Sequence, residues 1–290
     1  MPLIVSFNGS RALDVVGLVV KLGSAIAEET ALRVARAFES RGVRVLVEES
    51  VSYESLSGYP RFSLRGSVPG KLVVVGGDGT LLRTLLKLQD ETPIIMGIRA
   101  GKRGFLLDVE KYEVEDRIRD FIRGDYKLVV YPRYAVYANG ERLACILNDV
   151  AVVSKMAKLT RLNVLVDGYP AMRVDGDGVV VSSTVGSTAY SLSAGGPIVD
   201  PRLDVLIVTP LNPVQLHLRP LVVPSHSRVE ASVTPQSNEA YLNLDGQIAR
   251  ELQPGSLIAI TRCDAGVRMV RFRWWDNFYE RLYTRLLAYW

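Results

Sequence analysis

The sequence predicts an α/β N-terminal domain (a parallel sheet with flanking helices), then a mostly antiparallel β C-terminal domain and a C-terminal helix packing back on the first. Three observations predict it. Apolar runs alternate with helical periodicity over residues 15–124, short β-branched runs separated by Asx-Gly pairs follow residue 125, and the tail spaces its apolar residues at helical intervals. The expected divisions are residues 1–124, residues 125–270 and the returning helix 271–290.

In order along the chain, residues 15–22 form an apolar run suited to a buried strand. Residues 28–41 place Leu32, Ala35 and Phe38 on one helical face before Gly42 ends the helix. Residues 43–47 read as the next strand, whereas residues 50–70, rich in Ser, Gly, Tyr and Pro, predict a mobile loop. The alternation resumes with a strand at 71–75, a helix after Thr80, a strand at 93–98 and a polar helix over 113–123. Beyond residue 125, Asn139-Gly140, Asp167-Gly168, Asp175-Gly176, Asp177-Gly178 and Asp245-Gly246 mark turns between strands, Asn139-Gly140 being the clearest hairpin. A helical insert over 187–194 interrupts them, and Phe272, Trp275, Phe278, Leu282 and Leu286 give the tail its apolar face. The first ten residues receive no role.

A chain of 290 residues, 48% apolar and 23% charged, can bury its own core. Its two cysteines, Cys145 and Cys263, lie in apolar strand-like runs, so buried free thiols and a reducing compartment are expected. No basic leader and no apolar run of membrane-spanning length occurs, which predicts a cytoplasmic location away from membranes. The net charge of +4 comes from 35 basic and 31 acidic residues scattered along the chain, without the basic block or basic-aromatic pattern of a nucleic-acid binder. An anionic small-molecule substrate fits that charge.

The stretch Gly76-Gly77-Asp78-Gly79-Thr80 closes one apolar run and opens an amphipathic one, so it places a carboxylate at a strand-to-helix turn. Glycines there let backbone N–H groups approach a phosphate, the helix N-terminus favours negative charge, and a lone Asp can serve a reacting hydroxyl or anchor a metal. The same residues also suit an ordinary capped turn. The pattern is neither the Gly-x-Gly-x-x-Gly fingerprint nor a P-loop. No lysine follows to offset phosphate charge, so a metal ion or a later segment must do so.

A second block runs from Asp175-Gly176-Asp177-Gly178 through Gly186-Ser187-Thr188-Ala189-Tyr190-Ser191-Leu192-Ser193 to Gly195-Gly196-Pro197. Small hydroxyl residues opening a short helix offer N–H and O–H groups to a nucleoside, and they equally well cap the helix. Asn148-Asp149 can read a base edge or ribose hydroxyls, or form a turn. Asp167, Asp175 and Asp177 lack the Glu of a calcium loop, His217 and His226 lack partners at metal-ligand spacing, and no Gly-x-Ser-x-Gly elbow is present. A site without catalytic His or Cys points to chemistry run by positioning and charge, as phosphoryl transfer is.

On the glycine turn at 76–80, Gly104-Phe105-Leu106, Asn148-Asp149, the block from Asp177 to Pro197, Arg219-Pro220 and Asp245-Gly246-Gln247, in that order, the chain resembles the NAD kinase family. That family phosphorylates the 2′-hydroxyl of the adenosine ribose of NAD. The resemblance implies Asp78 as the catalytic acceptor with Gly79 and Arg83 beside it, Asn148 and Asp149 on the nucleoside with Lys158 nearby, and Phe105 on the adenine side. It also implies Asp177 at the nicotinamide end, with Thr188, Ala189, Tyr190, Ser191, Leu192, Ser193 and Gln247 completing the NAD site. ATP or polyphosphate as donor, a divalent metal such as Mg2+, and a homodimer or homotetramer follow from the same resemblance. The chain departs from the family pattern at Arg99 (usually Asn), at Asp149 (usually Glu) and at Ser183-Thr184-Val185 (usually Thr-Pro-Thr). Two rivals stand beside this reading. A lipid or diacylglycerol-type kinase shares the glycine turn but usually follows it with Asn-Glu-Val, where this chain has Leu81-Leu82-Arg83; a non-catalytic NAD or nucleotide sensor would have no need of Asp78.

Overall fold

The computed structural model describes residues 3–5, 13–88, 90–101, 104–155, 158–272 and 278–284. The chain forms two compact units, Leu3–Val130 with Val267–Trp290, and Tyr131–Gly266.

In the first unit the strands Val15–Val20, Lys71–Gly76 and Ile94–Arg99 pair in parallel, and each is buried along its length except for one end residue. Such continuous burial is what a parallel sheet covered on both faces requires. Arg44–Glu48 extends the sheet in parallel beyond Val15–Val20, and Val267–Arg271 pairs in parallel with Ile94–Arg99. Leu3–Val5, in the stretch to which the sequence assigned no role, is an edge strand antiparallel to Leu128–Val130. Helix Ala25–Glu39 starts where the Ser24 hydroxyl accepts the Ala27 N–H, and it buries Ala31, Val34, Ala35 and Phe38 in the core of the unit. Helix Val114–Arg123 ends at Gly124 in the left-handed conformation.

Residues 50–70, expected to form a mobile loop, are packed instead. Val51, Leu56, Phe62 and Leu64 are buried, Tyr53 Oη accepts the Ser24 N–H and donates to the Lys21 carbonyl, and Arg61 donates to the carbonyls of Val51 and Leu56. Turn-forming composition was visible in the sequence; the anchoring of scattered apolar side chains was not. The predicted tail helix is described over Phe278–Leu282, whereas Trp275 and Leu286 lie outside the described residues.

The second unit is built from two six-stranded antiparallel sheets. Val229–Val233 and Ala240–Leu244 alternate buried and half-buried residues, as strands with one face on a core do. Asn139-Gly140, Asp167-Gly168 and Asp245-Gly246 each take positive φ at both residues and close tight hairpins. Asp175-Gly176 and Asp177-Gly178 close no hairpin: Tyr169–Gly176 belongs to one sheet and Gly178–Ser183 to the other, so the chain changes sheets at Asp177.

The cysteines also correct the sequence reading, because Cys145 and Cys263 are joined in a disulfide. Cys145 lies on Glu141–Ile146, Cys263 follows Leu257–Arg262, and both strands pair with Tyr134–Ala138 from opposite sides. A separation of 118 residues concealed that proximity. No helix among the described residues is long and apolar enough to cross a membrane.

Candidate functional site

In the first unit, Gly77 links the strand Lys71–Gly76 to the helix Asp78–Leu88, and its carbonyl accepts the N–H groups of Thr80 and Leu81. Asp78 is the first residue of that helix. Its Oδ2 accepts the Phe105 N–H at 2.6 Å and its Oδ1 accepts the Leu106 N–H at 2.9 Å, so a separate loop sets the orientation of the carboxylate. Gly104 makes this approach possible, since its φ is +147° and a Cβ there would lie only 3.1 Å from Asp78 Oδ1. Gly79 and Arg83 follow on the exposed side of the helix. Phe105 has its ring edge-on to Phe278, with centroids 5.8 Å apart, and Arg99 is ion-paired with Glu110.

In the second unit, Asn148-Asp149 opens the strand Asp149–Ser154. Asp245, buried at the start of its turn, accepts N–H groups from Leu147 at 2.9 Å, Asn148 at 2.7 Å and Asp149 at 3.1 Å. Three such bonds to one carboxylate fix the backbone that presents Asn148 and Asp149. Burial, reinforced by the charge of Asp245, pushes the Asp149 carboxyl up to about 7. Burial likewise pushes Asp245 up to about 6, against the lowering effect of the three N–H donors and Arg133. The environment of Asp149 therefore favours the protonated form more than an ordinary aspartate's does, and a carboxyl in that form can donate a hydrogen bond as well as accept one. Asn148 Oδ1 is buried without a hydrogen-bond partner, an acceptor suited to an amino or hydroxyl group.

The small-residue block folds as a 3₁₀ turn, Val185–Thr188, and a single helical turn, Tyr190–Ser193. It packs directly on Asn148. The Ser183 N–H donates to the Asn148 carbonyl at 2.8 Å, the Ser183 hydroxyl donates to the Leu147 carbonyl at 2.6 Å, and a Cβ on Gly186 would fall 2.2 Å from the Asn148 oxygen. Partial burial, then the charges of Asp149 and Asp177, raise the Tyr190 phenol. Thr188, Ala189 and Leu192 are half-buried and Ser193 is exposed. Ser191 differs: it is fully buried and its hydroxyl is bonded to that of Thr209 at 2.9 Å, so it supports the turn from behind. Gln247 is exposed beside the Asp245 turn.

Asp177 accepts from Asn212 Nδ2 at 2.8 Å, and its carbonyl takes the Ser154 N–H, which puts it at the end of Asp149–Ser154 away from Asp149. Lys158 lies beyond that same far end, separated from Asp149 by roughly 17 Å of extended strand. There it lines a surface depression with Lys155, Ser237 and Glu239. The structure thus does not bring Lys158 beside Asn148, where the resemblance put it. Asp245, which the sequence reading treated only as a turn residue within a motif, is the residue missed. Its signal was a lone Asp directly after an apolar strand. Among the described residues no group of three or more His, Cys, Asp or Glu side chains is placed to hold a metal ion.

Family models match in both units: an ATP-NAD kinase N-terminal domain over residues 71–126 and an ATP-NAD kinase C-terminal domain over residues 147–272. An NAD kinase of Aeropyrum pernix is 60% identical over 95% of this chain and 99% of its own length. One from Methanopyrus kandleri is 34% identical over 95% and 98%. Among solved structures, an NAD kinase from Archaeoglobus fulgidus in complex with ATP is 27% identical with a TM-score of 0.74, covering 92% of this chain and 97% of that one. Yeast NADH kinase complexed with NADH, at 23% identity and a TM-score of 0.86 over 99% and 94% of the two chains, shares the fold.

Proposed function

The chain belongs to the NAD kinase family, and we propose that it transfers the terminal phosphoryl group of ATP, or of polyphosphate, to the 2′-hydroxyl of the adenosine ribose of NAD, giving NADP. The observation that carries this reading is Asp78, a carboxylate at a strand-to-helix turn whose orientation is set by two backbone N–H groups. Transfer requires the hydroxyl in line with the donor phosphorus at about 3–3.5 Å. Asp78 orients that hydroxyl and accepts its proton as the new O–P bond forms and the donor's bridging P–O bond breaks. Gly79 and Arg83 flank the reacting group, and Phe105 contributes the amide that aligns Asp78.

In this reading Asn148 and Asp149 bind the nucleoside, and Asp177 serves the nicotinamide end of the same molecule. Thr188, Ala189, Tyr190, Leu192, Ser193 and Gln247 complete the contacts, with Ser191 acting through Thr209. A divalent ion, Mg2+ foremost, enters with the donor phosphates as part of the substrate, consistent with its preference for phosphate and water over an all-protein cage.

A homodimer or homotetramer in the cytoplasm belongs to the same proposal. The Cys145–Cys263 disulfide fits that location in a cell that retains intracellular disulfides, as those of hyperthermophilic archaea and bacteria do. The test offers purified protein NAD and a diacylglycerol side by side, with Mg2+ and either ATP or polyphosphate. NADP formation with untouched lipid supports the proposal, phosphorylated lipid without NADP identifies a lipid kinase, and NAD binding without turnover identifies a sensor.

A further inference from the structure

We propose that the C-terminal segment positions Asp78, with buried Arg271, Arg281 and Asp108 locking the loop whose amides hold that carboxylate. This rests on the reading of Asp78 as the group that serves the hydroxyl. The loop from Gly104 to Leu106 touches Asp78 through two N–H groups, and further anchors reach it from residues more than 160 positions later in the chain. Arg271 Nη1 donates to the Leu106 carbonyl at 2.6 Å, and the Phe278 ring meets Phe105 edge-on. Asp108, two residues past Leu106, accepts the Phe272 N–H at 2.8 Å and is ion-paired with Arg281.

These groups are buried: Arg271 is 1% exposed, Arg281 7% and Asp108 8%. Burying an ion pair gives little net stability beside an apolar packing of the same shape, so what such a pair supplies here is a fixed geometry. A carboxylate that must meet one hydroxyl needs that fixity, since a displacement of about 1 Å at a reacting group costs on the order of 100-fold in rate. Arg271, Arg281 and Asp108 are positioning residues, one step removed from the reacting atoms.

The test compares the full chain with Arg281→Met, which keeps the aliphatic stem, with Arg281→Lys, which keeps the charge, and with Phe278→Leu, a milder change at the separate contact with Phe105. Amide hydrogen exchange is read at Phe105 and Leu106, and kcat and KM are read for NAD phosphorylation. In Arg281→Met both amides should exchange at least about ten-fold faster while the strand Lys71–Gly76 keeps its protection. Its kcat should fall between about ten-fold and 100-fold with KM for NAD within about three-fold, and Arg281→Lys should recover part of the loss. Phe278→Leu should shift both readouts in the same direction by less, which decides the matter if Arg281→Met does not fold. Unchanged exchange at Phe105 and Leu106, or a loss confined to KM, overturns the proposal. Absence of NADP formation by the unaltered chain would instead strike the functional reading, and the exchange data would still decide whether the C-terminal segment holds the loop.

Discussion

Replacing Asp149 by asparagine should stabilise the protein at alkaline pH while damaging its function, and the size of the effect follows from the burial of that carboxyl. Asp149 is 5% exposed and its pKa is raised from 3.8 to about 7, first by burial and then by Asp245. Each unit of difference between folded and unfolded chain is worth about 1.36 kcal/mol, so a rise of about three units amounts to about 4 kcal/mol. The sign is set by the direction of the rise. The folded state holds the proton more tightly, so the stability this group contributes is fully present below pH 3.8 and is lost as pH climbs through about 7. The amide of the Asp149→Asn variant cannot ionise, and the variant escapes that loss. Guanidinium unfolding of both proteins at pH 4, 6, 7 and 8 should show a gap in favour of the variant that opens between pH 4 and 8 and reaches about 2–4 kcal/mol. NAD phosphorylation by the variant should fall in the same buffers, a trade of activity for stability. A gap of constant size across the pH series, or a variant less stable at pH 8, would show that burial does not raise the Asp149 carboxyl.

Asp78→Asn should lower turnover by a factor on the order of 100 or more while NAD binding, measured by calorimetry, persists; near-normal turnover would remove Asp78 from its role. Cys145→Ser with Cys263→Ser opens a covalent loop of 118 residues. Chain entropy sets that loss at about 5 kcal/mol, and an unfolding free energy from guanidinium titration that falls by less than about 1 kcal/mol would show that the bridge does not constrain the unfolded chain. Gly186→Ala forces a methyl group toward the Asn148 carbonyl, 2.2 Å away, so KM for NAD should rise on the order of ten-fold with a smaller change in kcat. An unaltered KM would uncouple the 3₁₀ turn from the nucleoside contacts.

What the sequence reveals most clearly is what the chain encodes locally. The apolar run ending at Gly76, with Asp78 opening a helix, needs only neighbouring residues to specify it, and the Asn139-Gly140 hairpin follows from the positive φ both residues adopt. Features that depend on distant partners were hidden. The Cys145–Cys263 bridge, the hold of Asp245 on Leu147, Asn148 and Asp149, and the pairing of Asp108 with Arg281 each join residues about 100 or more positions apart, and no local periodicity announces them. Lys158 shows the converse. Ten positions from Asn148 is close along the chain, but an extended strand turns that spacing into a long distance. Residues 50–70 illustrate a third limit, since composition signals turns without showing which of Val51, Leu56 and Phe62 find a core to anchor them.

In the proposed reaction the hydroxyl served by Asp78 is the 2′ oxygen of the adenosine ribose of NAD. Phosphorus NMR of the product formed from NAD, donor and Mg2+ reads that oxygen directly. A single new phosphomonoester resonance assigned to the adenosine 2′ position is expected, formed by the unaltered chain and on the order of 100-fold more slowly by Asp78→Asn. A phosphomonoester at any other oxygen, or equal rates for the two proteins, would contradict it.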